Sequence, residues 1–141
     1  MSYLLDTCVI SEFTRRQPHP KVIDWLSETD EELLYLSVLS IGEIQHGIER
    51  LENSLRKEEL HTWLVEEMIP RFDGRILVLD TPTMIQWGSL VARLERQGHK
   101  MPSMDSLIAA TALTHDLVLV TRNVADFHRC GVELFNPWEA S

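Results

Sequence analysis

The chain has 141 residues, 44% of them hydrophobic and 25% charged, with a formal net charge of −9 at pH 7; that length suits one folding unit with a sizeable core, and we expect a single domain over residues 1–141. Its two cysteines, Cys8 and Cys130, stand far apart without zinc-like spacing, which excludes a disulfide framework or a metal knuckle and leaves ordinary buried thiols, while the acidic balance excludes broad DNA coating. No apolar run approaches the roughly 20 residues of a membrane span, and Met1-Ser2-Tyr3 shows no basic leader, so the expectation is a cytoplasmic protein away from membranes.

Tyr3-Leu4-Leu5, cut off by Asp6, predicts a first strand, and Val9-Ile10-Ser11-Glu12-Phe13 a short helix. After Pro18 and Pro20, residues 21–27 place Val22, Ile23, Trp25 and Leu26 for burial on a helix that dissolves into a solvated acidic stretch, Glu28-Thr29-Asp30-Glu31-Glu32. Residues 33–39 predict a strand buried on both faces. Ser40 then opens a helix through Leu51, with Ile41, Ile44, Ile48 and Leu51 on one side. A longer amphipathic helix is expected over residues 54–69, stopped by Pro70 and Asp73-Gly74, and Ile76-Leu77-Val78-Leu79 makes the next strand.

Thr81-Pro82 begins a helix with Met84, Trp87, Leu90, Val91 and Leu94 inward, closed by Gly98. Pro102-Ser103 introduces another over residues 107–113, apolar nearly all round. Leu117-Val118-Leu119-Val120-Thr121 is the clearest strand, and Val132-Glu133-Leu134-Phe135 a short final one. Strands alternating with helices predict an α/β sandwich: a central parallel sheet of four to five strands, flanked by helices, with ligands outside the carboxyl ends of the strands.

Four acids fall at such places: Asp6 after the first strand, Glu43 in the helix after the second, Asp105 opening the buried helix, and Asp126 past the last long strand. Three have a local explanation. Ser40-Ile41-Gly42-Glu43 fits a capping box, Ser103-Met104-Asp105 a cap with an acid favoured by the helix dipole, and Asn123 a cap followed by Asp126. Asp6 fits none of these, because a carboxylate ending an apolar strand is partly desolvated and no basic residue adjoins it. Two such charges 4 Å apart repel by roughly 4 kcal/mol at an effective dielectric near 20. They must share protons, separate, or bind a cation.

An all-oxygen donor set favours Mg²⁺ or Mn²⁺ over zinc, and a bound cation reverses the field that a phosphate would meet. The chemistry such a site supports is metal-assisted phosphodiester hydrolysis. The six histidines are scattered, without Cys/His pairing or a nucleophile pattern, and read as surface or packing residues. Trp25, Trp63, Trp87 and Trp138 read mainly as core or dimer packing. Arg15, Arg16, Lys100, Arg122 and Arg129 lie near the expected sheet edge, where they could bind phosphates or remain solvated charge.

Leu4-Leu5-Asp6-Thr7, Leu36-Ser37 with Glu43, Asp105-Ser106-Leu107-Ile108-Ala109-Ala110-Thr111-Ala112, Val120-Thr121-Arg122-Asn123-Val124-Ala125-Asp126-Phe127 and Phe135-Asn136-Pro137-Trp138 together resemble PIN domains, specifically toxins of the VapC or FitB-like group. The resemblance implies an endoribonuclease with magnesium or manganese at an acidic cleft, a homodimer, and a cognate antitoxin of the VapB/FitA-like kind. It assigns Asp6 and Asp105 as principal metal ligands, Glu43 as a further carboxylate ordering metal or water, Asp126 or Asn123 as the fourth corner, and Thr7 and Thr121 as supporting hydroxyls. RNA as substrate rests on the resemblance alone, since metal-assisted attack needs no 2'-hydroxyl. Two departures stand out. Cys8 occupies a position where asparagine is common, and Asn123 one where an acid is common, so a second metal stays open. A haloacid-dehalogenase-like phosphatase would need an acid at Cys8, and a receiver-like signalling domain a lysine where Thr121-Arg122-Asn123 stands. A degenerate PIN scaffold that acts through partner or RNA binding remains an alternative.

Overall fold

Extended apolar segments covered by helices on both faces have only neighbouring strands to satisfy their backbone groups. In the computed structural model, which describes residues 1–140, five such segments pair: β1 (Tyr3–Leu5), β2 (Leu34–Ser37), β3 (Ile76–Leu77), β4 (Val118–Val120) and β5 (Leu134–Phe135). All pairings are parallel, in the order β3-β2-β1-β4-β5. The expected α/β architecture is therefore present, with β1 central. Leu5 stands opposite Val120, so the next residues, Asp6 and Thr121, emerge together at the carboxyl edge.

Side chains alternate across a strand and so divide the core in two. Leu5 and Val120 pack with Val9, Ile10, Val22, Ile48, Leu64 and Phe72 on one face. These come from α1 (Thr7–Ser11), α2 (Pro20–Glu28), α3 (Val38–Glu49) and the helical stretch of α4 (Leu55–Thr62), a π-helical segment Trp63–Met68 and α5 (Ile69–Arg71), which Phe72 caps. Leu4 and Leu119 pack on the other face with Leu90, Leu94, Ile108, Ala109, Ala112 and Phe127, from α6 (Thr81–Arg96), α7 (Ser103–Thr114) and α8 (Val124–Phe127). Among the described residues no helix is long and apolar enough to cross a membrane.

Several boundaries differ from expectation. The second strand ends at Ser37, whose hydroxyl accepts the Leu39 N–H at 3.1 Å and caps α3. Val38 and Leu39 are therefore helical, and Ser40 opens nothing. Pro70 sits in the first turn of α5, where its missing N–H costs little, and the chain stays helical to Arg71. The third strand stops at Leu77 and leaves Val78 57% exposed. Met84 faces outward, and α7 starts at Ser103, ahead of the apolar run. Gly98 closes α6 as expected: at φ +73 it adopts the left-handed conformation of a helix end, donating to the Glu95 carbonyl at 2.9 Å.

Candidate active site

The desolvated carboxylate of Asp6, 8% exposed, is held by neutral donors. Its Oδ1 accepts the Thr7 N–H at 2.8 Å at the start of α1, and its Oδ2 accepts the buried Thr121 hydroxyl at 2.8 Å. Thr121 Oγ1 in turn accepts the Asn123 N–H at 3.0 Å. Both oxygens of Asp6 are thus fixed by groups that strand register delivers to the same edge, without a basic partner that would compete with a cation.

Glu43 is held from a distance. The Thr7 hydroxyl donates to its Oε1 at 2.7 Å and lies 2.9 Å from the hydroxyl of Ser40, which is fully buried. This overturns the capping-box expectation, because Ser37 caps α3 and both Ser40 and Glu43 are engaged with Thr7. The caps expected for the other two acids are also absent. Pro102 occupies the capping position of α7 without a side-chain acceptor, and the Ser103 carbonyl accepts the Ser106 hydroxyl at 2.9 Å. Asn123 stands at the start of α8, but its side chain makes no capping bond there.

Asp105, half-buried in the first turn of α7, has no hydrogen-bond partner among the described residues. Burial pushes its carboxyl above the usual range, and the negative charges of Asp6, Asp126 and Glu43 push in the same direction. Four acids from separate parts of the chain therefore share one electrostatic environment, with the exposed Asp126 on its rim. Their mutual repulsion is the condition that a divalent cation relieves.

Among the described residues no three His, Cys, Asp or Glu side chains stand close enough to chelate a single ion. That arrangement does not suit a closed tetrahedral zinc site. It fits Mg²⁺ or Mn²⁺, since Mg²⁺ keeps several waters and takes one or two carboxylates directly. The other acids would then act through water.

Cys8 belongs to this site instead of being an ordinary buried thiol. Half-buried, its Sγ lies 3.8 Å from both Asp6 Oδ2 and Thr121 Oγ1. Burial and the Asp6 charge push the thiol up, so it faces Asp6 as a weak neutral donor. Cys130 is buried as expected, 3.2 Å from Met101 Sδ, and burial raises its thiol too.

The basic residues separate. Arg15 pairs at 3.1 Å with Glu12, a 2% exposed acid that also accepts the His19 N–H at 2.8 Å. Glu12 escaped the sequence reading because its partners lie in the irregular segment after α1, outside any periodic pattern. Arg16 and Lys100 are exposed. Arg122 lies over the Trp138 ring at 4.3 Å. Trp25 packs against Tyr3 and Phe135 in the core, and Trp87 Nε1 donates to the Ser106 hydroxyl at 2.9 Å. Beside Thr7 and Glu43 opens a mostly apolar cavity of about 190 Å³, lined also by Ser11, Ile44, Leu60 and Trp63.

Residues 3–132 match the PIN domain family. The chain is 38% identical to Toxin FitB of Neisseria gonorrhoeae over 96% of its own length and 97% of that protein's, and 32% identical to VapC ribonuclease Y4jK of Sinorhizobium fredii over 96% and 97%. The solved structure of FitAB bound to an IR36 DNA fragment superposes with a TM-score of 0.93 at 35% identity, covering 99% of this chain and 97% of that one. Strand order, the acidic edge and these likenesses agree, and none supports a phosphatase or a receiver domain: the chain belongs to the PIN domain family.

Proposed function

We propose that the protein is a magnesium-dependent endoribonuclease and the toxin half of a toxin–antitoxin pair. The observation that carries this reading is that Thr7 at the carboxyl edge of the sheet holds Asp6 through its N–H and Glu43 through its hydroxyl, with the charges of Asp6, Asp126 and Glu43 acting on Asp105. The names of its relatives, a toxin and a VapC ribonuclease, supply toxin and RNA. Asp6 and Asp105 would hold Mg²⁺, or Mn²⁺ in its place, with Glu43 reaching it through water, and the ion when bound would supply a water of lowered pKa and positive charge beside the scissile phosphate.

The chain's own groups do the positioning. Thr121 and the Thr7 N–H lock both oxygens of Asp6, the Thr7 hydroxyl locks one oxygen of Glu43, and Asp126 or Asn123 closes the fourth corner. Hydrolysis in this arrangement leaves 5'-phosphate and 3'-hydroxyl ends. The likeness to FitAB supports a small antitoxin as partner. An acidic cleft suits an arginine from such a partner, and the apolar cavity beside Glu43 suits a neighbouring apolar side chain.

The test is purified protein with labelled RNA, with and without EDTA, beside Asp6→Asn and Asp105→Asn. Cleavage is expected with Mg²⁺ and is expected to fall to background on chelation and in both variants. Cleavage that survives both chelation and substitution overturns the metal mechanism. RNA bound but never cut in Mg²⁺ points to the scaffold alternative.

A further inference from the structure

A chain of net charge −9 with four acids around one cleft repels RNA, and a fixed cation beside the cleft would offset that repulsion along the backbone flanking the scissile bond. Of the basic residues near the sheet edge, Arg15 is paired with Glu12, and Arg16, Lys100 and Arg129 are exposed with no side-chain contact that fixes them among the described residues. Arg122 is different. It directly follows Thr121, whose buried hydroxyl donates to Asp6 at 2.8 Å. Its guanidinium lies 4.3 Å above the Trp138 ring and makes no hydrogen bond or ion pair among the described residues.

Stacking has a geometric consequence. The five N–H donors of a guanidinium lie in its plane, so a ring covering one face fixes the group while leaving the donor fork open for a phosphate. Trp138 is well placed to do this, being 9% exposed in the closing turn Pro137–Glu139. Its buried indole N–H has no acceptor among the described residues. The ring face, and not the N–H, is therefore what this tryptophan contributes, and tryptophan offers the strongest cation–π face.

We infer that Arg122 is the residue that grips an RNA backbone phosphate beside the acidic cleft, and that Trp138 is a positioning residue holding its guanidinium ready; this rests on the nuclease reading. The experiment measures cleavage of single-stranded RNA at fixed Mg²⁺ over a range of KCl concentrations for wild type, Arg122→Gln, Trp138→Phe and Trp138→Leu, with melting temperatures recorded. Arg122→Gln is expected to raise KM about three- to tenfold with kcat nearly unchanged, and to flatten the slope of log(kcat/KM) against log[KCl] by about 0.7, the signature of one lost single-strand phosphate contact. Trp138→Leu is expected to raise KM in the same direction, and Trp138→Phe, which keeps a ring, to restore most of it.

Arg122 is itself exposed but covers the Trp138 ring, so the melting temperatures separate lost packing from lost phosphate contact. An unchanged salt slope in Arg122→Gln overturns the phosphate role while leaving the nuclease reading intact. Identical KM values in both Trp138 variants and wild type overturn the positioning role. Wild type that neither binds nor cuts RNA overturns both readings together.

Discussion

Asp105 carries the strongest conflict in the cleft, half-buried without a hydrogen-bond donor and facing three other negative charges. Its carboxyl is raised in the folded protein, so between the ordinary carboxylate value and the raised one the folded chain keeps a proton that the unfolded chain has released. Stability therefore falls as pH rises through that window, and above it the full repulsion remains. Asp105→Asn removes the charge. In EDTA the variant is expected to melt about 2 °C above wild type at neutral pH, a difference that shrinks toward pH 4, while added Mg²⁺ raises the wild type more than the variant. A variant that melts lower than wild type in EDTA at pH 7 would contradict the repulsion argument; calorimetry gives the answer. Asp6 was readable in the sequence because a carboxylate ending an apolar strand has no local rationale. For Glu43 the local pattern offers only a cap, because its partner, Thr7, is 36 residues away and no local pattern encodes that bond. Cys8 was readable as a departure but not as a contact of Asp6.

Among the elements, α3 matters most for the site, since it carries both Ser40 and Glu43. It starts where Ser37 accepts the Leu39 N–H, and Ser37 is itself 1% exposed, so losing the hydroxyl leaves a donor without partner or water. Ser37→Ala is expected to cost about 1 kcal/mol, or about 3 °C in melting temperature, with Ser37→Asp or Ser37→Thr recovering part of it. Melting unchanged in the alanine variant would show that the cap contributes nothing. The strand–helix boundary here departs from the hydrophobic pattern for a physical reason. Val38 and Leu39 extend the apolar run, so hydrophobicity alone cannot separate the end of a buried strand from the first turn of a buried helix. Capping chemistry at Ser37 makes the choice. The long helix after Ser54 was readable from its periodicity, but its π-helical segment Trp63–Met68 and the continuation through Pro70 depend on backbone bonding that no side-chain pattern reports.

For the whole molecule, parallel topology does the work that local patterns could not. With every strand pointing the same way, residues that follow β1 and β4 emerge at one edge, and the alternation of helices with strands was enough to predict that convergence. The same alternation buries both sheet faces, and what remains exposed is then informative. Single exposed apolar residues are ordinary, whereas several on adjoining elements indicate association. Val78 (57% exposed) lies three residues before α6, Met84 (40%) and Ile85 (67%) are in its first turns, and Met104 (37%) is the second residue of the packed neighbour α7. A second copy of the chain is the occupant that the family resemblance implies. Wild type is accordingly expected to run as a dimer in size-exclusion chromatography with light scattering, and Ile85→Glu, which places a charge at the most exposed of these apolar residues, to run as a monomer with little change in melting of the protomer. Ile85 lies on the opposite core face from α1 and α3, which carry Thr7 and Glu43, whereas Met104 of the same patch adjoins Asp105, so cleavage is measured beside oligomeric state. Residual cleavage by the monomer would show that one protomer holds a complete site, and a wild type that is monomeric at high concentration would refute the dimer and leave the α6 face as bare surface.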